Sequence, residues 1–165
     1  MTRKRLRRTQ PPMVLVVEDE PTVRTLAESI LEDFGYATLS AANAREAYIL
    51  LRAGRPVDLL FTDINMPDGP NGLDGLELAR TAIELRPGLR VLYTTGGTIT
   101  EGMTARFVDG GRFLRKPYTR ERLIKALGAL LPPDLPSHDI RGGAALRCHG
   151  TRSILPMWRL DSIRR

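Results

Sequence analysis

The chain has 165 residues, 42% of them hydrophobic, which suits one domain with a sizeable core and leaves too little for two. Its single cysteine, Cys148, excludes an intramolecular disulfide framework, and no group of Cys and His has zinc-ligand spacing. No apolar run approaches the roughly 18 residues of a membrane span, and no secretory signal is recognisable at the start. We therefore expect a cytoplasmic protein without a membrane span.

The net charge of +6 is concentrated in the two ends of the chain. Residues 1–10 carry five basic and no acidic groups, and residues 132–165 carry six Arg against three Asp, whereas residues 11–131 hold fourteen basic and sixteen acidic groups. We therefore expect a basic, disordered arm over residues 1–11 and an ordered domain over residues 12–131. The Pro-, Gly- and Arg-rich residues 132–165 are expected to form a disordered tail without an output domain.

Short apolar runs alternate with stretches of helical periodicity along the ordered part. Pro21 suits the first position of a helix, Asn43 with Glu46 forms a capping box, and Thr119 can cap a last helix. In chain order the pattern predicts strand 13–17, helix 21–34, strand 36–40, helix 44–53, strand 57–62, helix 73–85, strand 91–95, strand 112–115 and helix 120–131. The stretch 96–109, rich in Thr and Gly, predicts at most a weak, mobile helix.

Strands that alternate with helices must pair in parallel, because parallel neighbours need long crossovers, and right-handed crossovers place helices on both faces. The sequence therefore predicts a doubly wound α/β fold with five parallel strands. In such sheets ligands bind beyond the carboxyl ends of the strands. The residues predicted at those ends are Glu18, Asp19, Asp63, Thr95 and Lys116.

Three carboxylates in one pocket repel each other unless a cation neutralises them, and Mg²⁺ prefers such hard oxygen ligands. Asp19, Asp63 and the backbone carbonyl of Asn65 are the predicted ligands, with Glu18 either a further ligand or a charge behind them. A carboxylate beside Mg²⁺ can also act as a nucleophile on phosphorus and form an acyl phosphate. Lys116 and Thr95 could then share the charge of the phosphoryl oxygens.

The motifs VVED, FTDINMP, YTTG and RFLRKP, in this order, resemble those of response-regulator receiver domains of two-component phosphorelay systems, as in chemotaxis regulators. The resemblance covers about residues 12–131 and implies a flavodoxin-like strand order 2-1-3-4-5. It further implies that Asp63 is the phosphorylated aspartate and that Mg²⁺ is the cofactor. Thr95 and Phe113 match the switch residues, and Lys116 precedes Pro117, a family proline that is often cis.

The resemblance also implies partners and a mode of action. The phosphoryl donor would be a histidine kinase or a histidine phosphotransfer protein, and the output would be a conformational change read by a downstream protein target. A homodimer through the face formed by helix 4, strand 5 and helix 5 is a further implied contact. The chain would then not be an enzyme with a separate substrate, but a domain that catalyses its own phosphorylation and slow dephosphorylation.

Other functions remain open at this point. A haloacid-dehalogenase-type hydrolase needs a second Asp two residues after the nucleophile, where this chain has Asn65. Flavin binding needs a hydroxyl-rich phosphate loop after the first strand, where Glu18, Asp19 and Glu20 stand instead. A degenerate receiver could act as an unphosphorylated binding module. The basic ends could hold nucleic acid through phosphate contacts, although no sequence-specific DNA-binding module is recognisable.

Overall fold

The computed structural model of the chain describes residues 10–66 and 74–131. Residues 1–9, 67–73 and 132–165 lie outside the described residues. The predicted disorder of the basic arm and of the tail therefore stays a prediction. None of the helices in the described ranges has the length and apolar character needed to cross a bilayer.

Five parallel strands form one sheet in the order β2-β1-β3-β4-β5. The strands are β1 (Met13–Val17), β2 (Ala37–Ala41), β3 (Leu59–Asp63), β4 (Arg90–Thr95) and β5 (Arg112–Arg115). This confirms the predicted doubly wound α/β fold and its strand order 2-1-3-4-5. The central strands are short and almost wholly buried, which is why they appear in the sequence as continuous apolar runs.

Helices connect the strands and cover both faces of the sheet. They are α1 (Pro21–Asp33), α2 (Ala44–Arg52), α3 (Gly75–Leu85), α4 (Glu101–Thr104) and α5 (Arg120–Gly128). α3 begins two residues later than predicted because Asp74 caps it, accepting a hydrogen bond from the backbone N–H of Glu77 at 2.7 Å. The predicted caps Asn43 and Thr119 are both present, so local sequence chemistry sets these helix starts.

Two apolar cores, one on each face, hold the helices to the sheet. Alternate residues of β1 point to opposite faces, so Val14 and Val16 pack with α1 and α5, whereas Leu15 and Val17 pack with α2 and α3. All four of these side chains are buried. The central strands are therefore clamped from both faces, which fixes the positions of their carboxyl ends.

The fourth helix is short, as its Gly- and Thr-rich sequence predicts. α4 has four residues, and none of them is buried. The segment is held instead by Phe107, whose ring stacks on that of Tyr93 with centroids 4.3 Å apart, and by the Val108 backbone N–H, which donates to the Tyr93 hydroxyl at 3.2 Å. Tertiary contacts to β4, and not helix propensity, thus position this part of the chain.

Candidate functional site

Lys116 lies between two acidic side chains at the carboxyl edge of the sheet. Its Nζ donates to Glu18 Oε2 and to Asp63 Oδ2, each at 2.5 Å. The three residues come from the ends of β5, β1 and β3, and both carboxylates are buried. Parallel pairing explains the convergence, since it brings the carboxyl ends of neighbouring strands to one edge.

Asp19 completes a cluster of three carboxylates. One carboxylate oxygen from each of Glu18, Asp19 and Asp63 lies within 4.8 Å of the other two. Such a set of hard oxygen donors fits a divalent cation of the Mg²⁺ type, which is commonly held by one or two carboxylates together with waters. Lys116 neutralises only part of the charge, because one ammonium faces three carboxylates. The structure therefore brings the three predicted carboxylates together.

For both Glu18 and Lys116, burial shifts the pKa in one direction and pairing with the opposite charge shifts it in the other. Burial raises the pKa of Glu18 above its ordinary value, even though the hydrogen bond and charge of Lys116 act to lower it. For Lys116, burial acts to lower the pKa, but the hydrogen bonds to Asp63 and Glu18 outweigh it and raise the pKa. Lys116 therefore stays charged at neutral pH, and the raised pKa of Glu18 means that it takes up a proton more readily than an exposed Glu.

Asn65 connects the acid cluster to the hydroxyl of Thr95. Its backbone N–H donates to Asp63 Oδ1 at 2.9 Å, and its side-chain amide donates to Thr95 Oγ1 at 2.7 Å. The Gly97 N–H donates to the same hydroxyl oxygen at 3.2 Å. Both lone pairs of Thr95 Oγ1 are thus engaged, which leaves its proton for another acceptor. The predicted use of the Asn65 carbonyl as a metal ligand stays a prediction.

The predicted switch ring, Phe113, is half-buried on β5 and lies 6.5 Å, centroid to centroid, from Phe107. It therefore contacts the α4 segment, residues 96–111, which runs from the end of β4 to the start of β5 and contains Phe107. The peptide bond between Lys116 and Pro117 is cis, as the resemblance implies. Phe113 as a switch residue stays a prediction.

Two residues near the site were not identified from the sequence. Tyr118 stands edge-on to Phe61 with ring centroids 5.9 Å apart, and burial, followed by the charges of Glu18 and Asp63, raises its pKa. Gly75 packs against the backbone of Asp63 so closely that an added Cβ would lie 1.9 Å from the Asp63 carbonyl oxygen. In the sequence, Gly75 could have been noticed because it directly follows Asp74, which caps α3. Tyr118 could have been noticed only because it lies two residues after Lys116.

The fold and the site together define a class of protein. A doubly wound sheet with three carboxylates and a Lys at the ends of β1, β3 and β5 is the arrangement of a receiver domain. The family model of the response regulator receiver domain matches residues 14–128. The chain belongs to this family.

Among curated relatives, the chain is 31% identical over 119 residues to the response regulator receiver protein CpdR of Brucella abortus, covering 72% of this chain and 95% of that protein. It is 34% identical over 123 residues to the probable transcriptional regulatory protein TcrX of Mycobacterium tuberculosis, covering 74% of this chain. The match spans only 50% of TcrX and 34% of the Pseudomonas aeruginosa regulator AruR. The likeness to these longer proteins is thus confined to part of their length.

Solved structures show the same similarity. The chemotaxis protein CheY4 of Vibrio cholerae superposes with a TM-score of 0.64 at 28% identity, over 73% of this chain and 99% of that one. A response regulator receiver protein from Sinorhizobium medicae superposes with a TM-score of 0.65 at 28% identity, over 72% of this chain and 93% of that one. The fold of the described residues is thus the receiver fold.

Proposed function

We propose that this chain is a phosphoacceptor of a two-component pathway, phosphorylated on Asp63 in a Mg²⁺-dependent reaction. The observation that carries the proposal is the position of Lys116, whose ammonium contacts Asp63 and Glu18 at 2.5 Å while Asp19 completes the acid cluster. A nucleophilic carboxylate flanked by a cationic side chain and further oxygen ligands is what phosphoryl transfer requires. The domain would catalyse the transfer of the phosphoryl group from its donor to its own aspartate, so it is both catalyst and acceptor.

The chain's own residues account for most of the chemistry. A carboxylate oxygen of Asp63 attacks phosphorus, the bond from phosphorus to the donor's imidazole nitrogen breaks, and that nitrogen keeps the bonding electron pair. The ammonium of Lys116 could donate a hydrogen bond to one phosphoryl oxygen while it keeps its hydrogen bond to Glu18. A Mg²⁺ ion held by Asp19 and Asp63 would neutralise the charge of the remaining oxygens.

The hydroxyl of Thr95 is the proposed sensor of the phosphoryl group. It already accepts hydrogen bonds from Asn65 and Gly97, so its proton is the group that can turn to a phosphoryl oxygen. Thr95 follows Tyr93 on β4, and Tyr93 stacks on Phe107 of the α4 segment. A small shift at Thr95 would therefore bias the weakly held α4 segment and, through it, Phe113.

The partners follow from this chemistry. The phosphoryl donor is a phosphohistidine on a histidine kinase or on a histidine phosphotransfer protein, and a downstream protein reads the α4 and β5 face. Self-association through that face is part of the same proposal. The activity is expected in the cytoplasm, where such donors are phosphorylated.

Intact-mass measurement after incubation with acetyl phosphate tests the proposal. We expect the wild-type chain to gain one phosphoryl group with Mg²⁺ present and none with EDTA. Asp63→Asn should gain none, whereas Asp58→Asn, a change at the residue directly before β3, should behave as the wild type. A folded wild-type chain that gains no phosphoryl group would reject the proposal and favour a degenerate receiver that acts as a binding surface.

A further inference from the structure

Arg24, in the first turn of α1, points its guanidinium back to the end of β1. Its Nη1 donates to the backbone carbonyl oxygen of Glu18 at 2.6 Å and lies 3.4 Å from that of Asp19. The side chain is half-buried. Arg24 therefore contacts the backbone of the two neighbouring residues whose carboxylates form part of the acid cluster, and it does so without touching those carboxylates.

The place of Arg24 on the helix makes this contact informative. The amino-terminal turn of a helix carries a partial positive charge, so a cationic side chain is disfavoured there and an acidic one is favoured. α1 nevertheless has no acidic residue in its first turn. An arginine at this end of the helix thus needs a compensating interaction. The structure provides it in the backbone carbonyls of Glu18 and Asp19.

A competing partner for Arg24 lies one helical turn away. Glu28 is at the i+4 position, where a Glu and an Arg commonly pair. Within the described residues, Glu28 Oε1 is buried and has no hydrogen-bond partner. The guanidinium is nonetheless directed to the strand-end carbonyls, so the local arrangement favours support of the β1–α1 turn over a helical ion pair.

We propose that Arg24 is a positioning residue for the cation site. By binding the Glu18 carbonyl, it fixes the turn from which Glu18 and Asp19 project, and so holds their carboxylates at the spacing that a divalent cation needs. Removing Arg24 would let the turn relax and the three carboxylates separate. This inference rests on the proposed function, because it presumes that Mg²⁺ binds the cluster of Glu18, Asp19 and Asp63.

Two simpler roles for Arg24 make different predictions. If Arg24 merely stabilises the fold, its loss lowers thermal stability and leaves the affinity for Mg²⁺ unchanged. If it acts only as a positive charge near the cluster, its loss removes repulsion of the cation and tightens Mg²⁺ binding. A positioning role alone predicts weaker binding when a positive charge is removed from the neighbourhood of a cation site.

Calorimetric titration of Mg²⁺ into the metal-free full chain, at constant ionic strength, separates these roles. We expect Arg24→Gln to weaken Mg²⁺ binding about tenfold, the scale of losses when a group that orients metal ligands is removed. Arg24→Lys should lose less, because an ammonium keeps the charge without the planar fork of a guanidinium. The matched control is Arg80→Gln, which removes an exposed helical arginine paired with Glu77 and should bind as the wild type.

Each outcome decides the question. Wild-type or tighter affinity in a folded Arg24→Gln variant overturns the inference, whatever its melting temperature. If Arg24→Gln does not fold, Arg24→Met, which keeps a long unbranched side chain without a hydrogen-bond donor, carries the comparison, and wild-type affinity in that variant overturns the inference. If the folded wild-type chain itself binds no Mg²⁺, the proposed function fails first. If the wild-type chain binds Mg²⁺ and the Arg24 variants bind it with the same affinity, this inference alone is rejected and the proposed function stands.

Discussion

At the scale of single residues, the site depends on a buried ion pair between side chains 98 positions apart, Lys116 and Glu18. Taking both charges out of water is costly, and their attraction offsets that cost only with good geometry and further hydrogen bonds. The second contact of Lys116, to Asp63, supplies such a hydrogen bond. Glu18 still retains part of the cost of burial, which is visible in the rise of its pKa.

This pKa rise predicts a pH dependence of stability. Above its unfolded pKa of about 4.5, Glu18 binds a proton more readily in the folded chain than in the unfolded one, so its contribution to stability falls as pH rises. We expect the difference in unfolding free energy between wild type and Glu18→Gln to be more favourable to the wild type at about pH 4 than at about pH 7. Urea unfolding in EDTA measures it.

The control for this prediction is Glu84→Gln, at an exposed position on α3. Its stability should run parallel to that of the wild type over the same pH range. If the unfolding free energy of Glu18→Gln also runs parallel to that of the wild type across this pH range, the pKa of Glu18 is not raised in the folded chain.

Gly75 gives a second prediction at this scale. A Cβ at this position would lie 1.9 Å from the Asp63 carbonyl oxygen, so Gly75→Ala must displace either α3 or the backbone of Asp63. We expect a loss of about 2 kcal/mol in unfolding free energy, typical of forced overpacking, together with slower phosphorylation. Denaturant unfolding and the rate of mass gain with acetyl phosphate measure the two effects.

Gly128→Ala is the matched control, because nothing lies within 4 Å of a Cβ built at Gly128 on α5. It should leave phosphorylation unchanged and stabilise the chain by up to about 1 kcal/mol. If Gly75→Ala is as stable and as active as Gly128→Ala, the close approach of α3 to Asp63 is wrong.

The residues of the site were predictable to different degrees. Asp19, Asp63 and Lys116 could be predicted because strand ends are marked in the sequence by the change from apolar to charged residues. Arg24 and Gly75 could not be predicted as neighbours of the site, because their roles depend on three-dimensional approach. A glycine after a capping Asp, or an arginine in a helix, is common where no such approach exists.

At the scale of elements, the α4 segment differs from the rest of the fold. Its helix has four residues, and the segment is held by half-buried apolar side chains that pack against the core, among them Phe107 on Tyr93, and by an exposed ion pair of Arg106 with Asp74 at 3.1 Å. Since none of these apolar side chains is fully buried, local opening should cost little free energy. A segment of low local stability beside Thr95 is suited to a conformational switch.

Phe107→Ala tests how this segment is held. Loss of the stacked ring should cost about 2 kcal/mol, less than for a fully buried aromatic because Phe107 is only half-buried. The loss should appear as faster hydrogen exchange over residues 96–111, with little change in β1 and β3. Leu85→Ala, at an exposed leucine on α3, is the control and should leave exchange in this segment unaltered. Equal protection of the segment in Phe107→Ala would show that other contacts hold it.

Secondary structure was predictable wherever pattern and cap agree. The first strand matched residue for residue, and Asn43 and Thr119 marked the starts of α2 and α5 correctly. Boundaries shifted by one or two residues at β2, β3 and α3, where burial and capping set the limits and the apolar pattern extends past them. The short extent of α4 followed from composition, but its anchoring through Tyr93 needed the tertiary structure.

At the scale of the whole molecule, the parallel sheet explains why distant parts of the chain form one site. The order β2-β1-β3-β4-β5 places β1, β3 and β4 at the centre, with their carboxyl ends on one edge. Alternation of strand and helix predicts this class of fold, because the handedness of crossovers leaves few other arrangements. The proposed downstream partner would recognise the shape of the α4 and β5 surface, and no sequence pattern of this chain encodes that shape directly.

Phosphorylation of Asp63 is tested most directly by identifying the phosphorylated residue chemically. The wild-type chain would be phosphorylated with acetyl phosphate and Mg²⁺, reduced with borohydride, which converts an acyl phosphate of Asp to homoserine, and analysed by peptide mass spectrometry. We expect homoserine at position 63 alone, and none when Mg²⁺ is omitted. Homoserine at another position, or a phosphoryl group on a histidine, would contradict phosphorylation of Asp63.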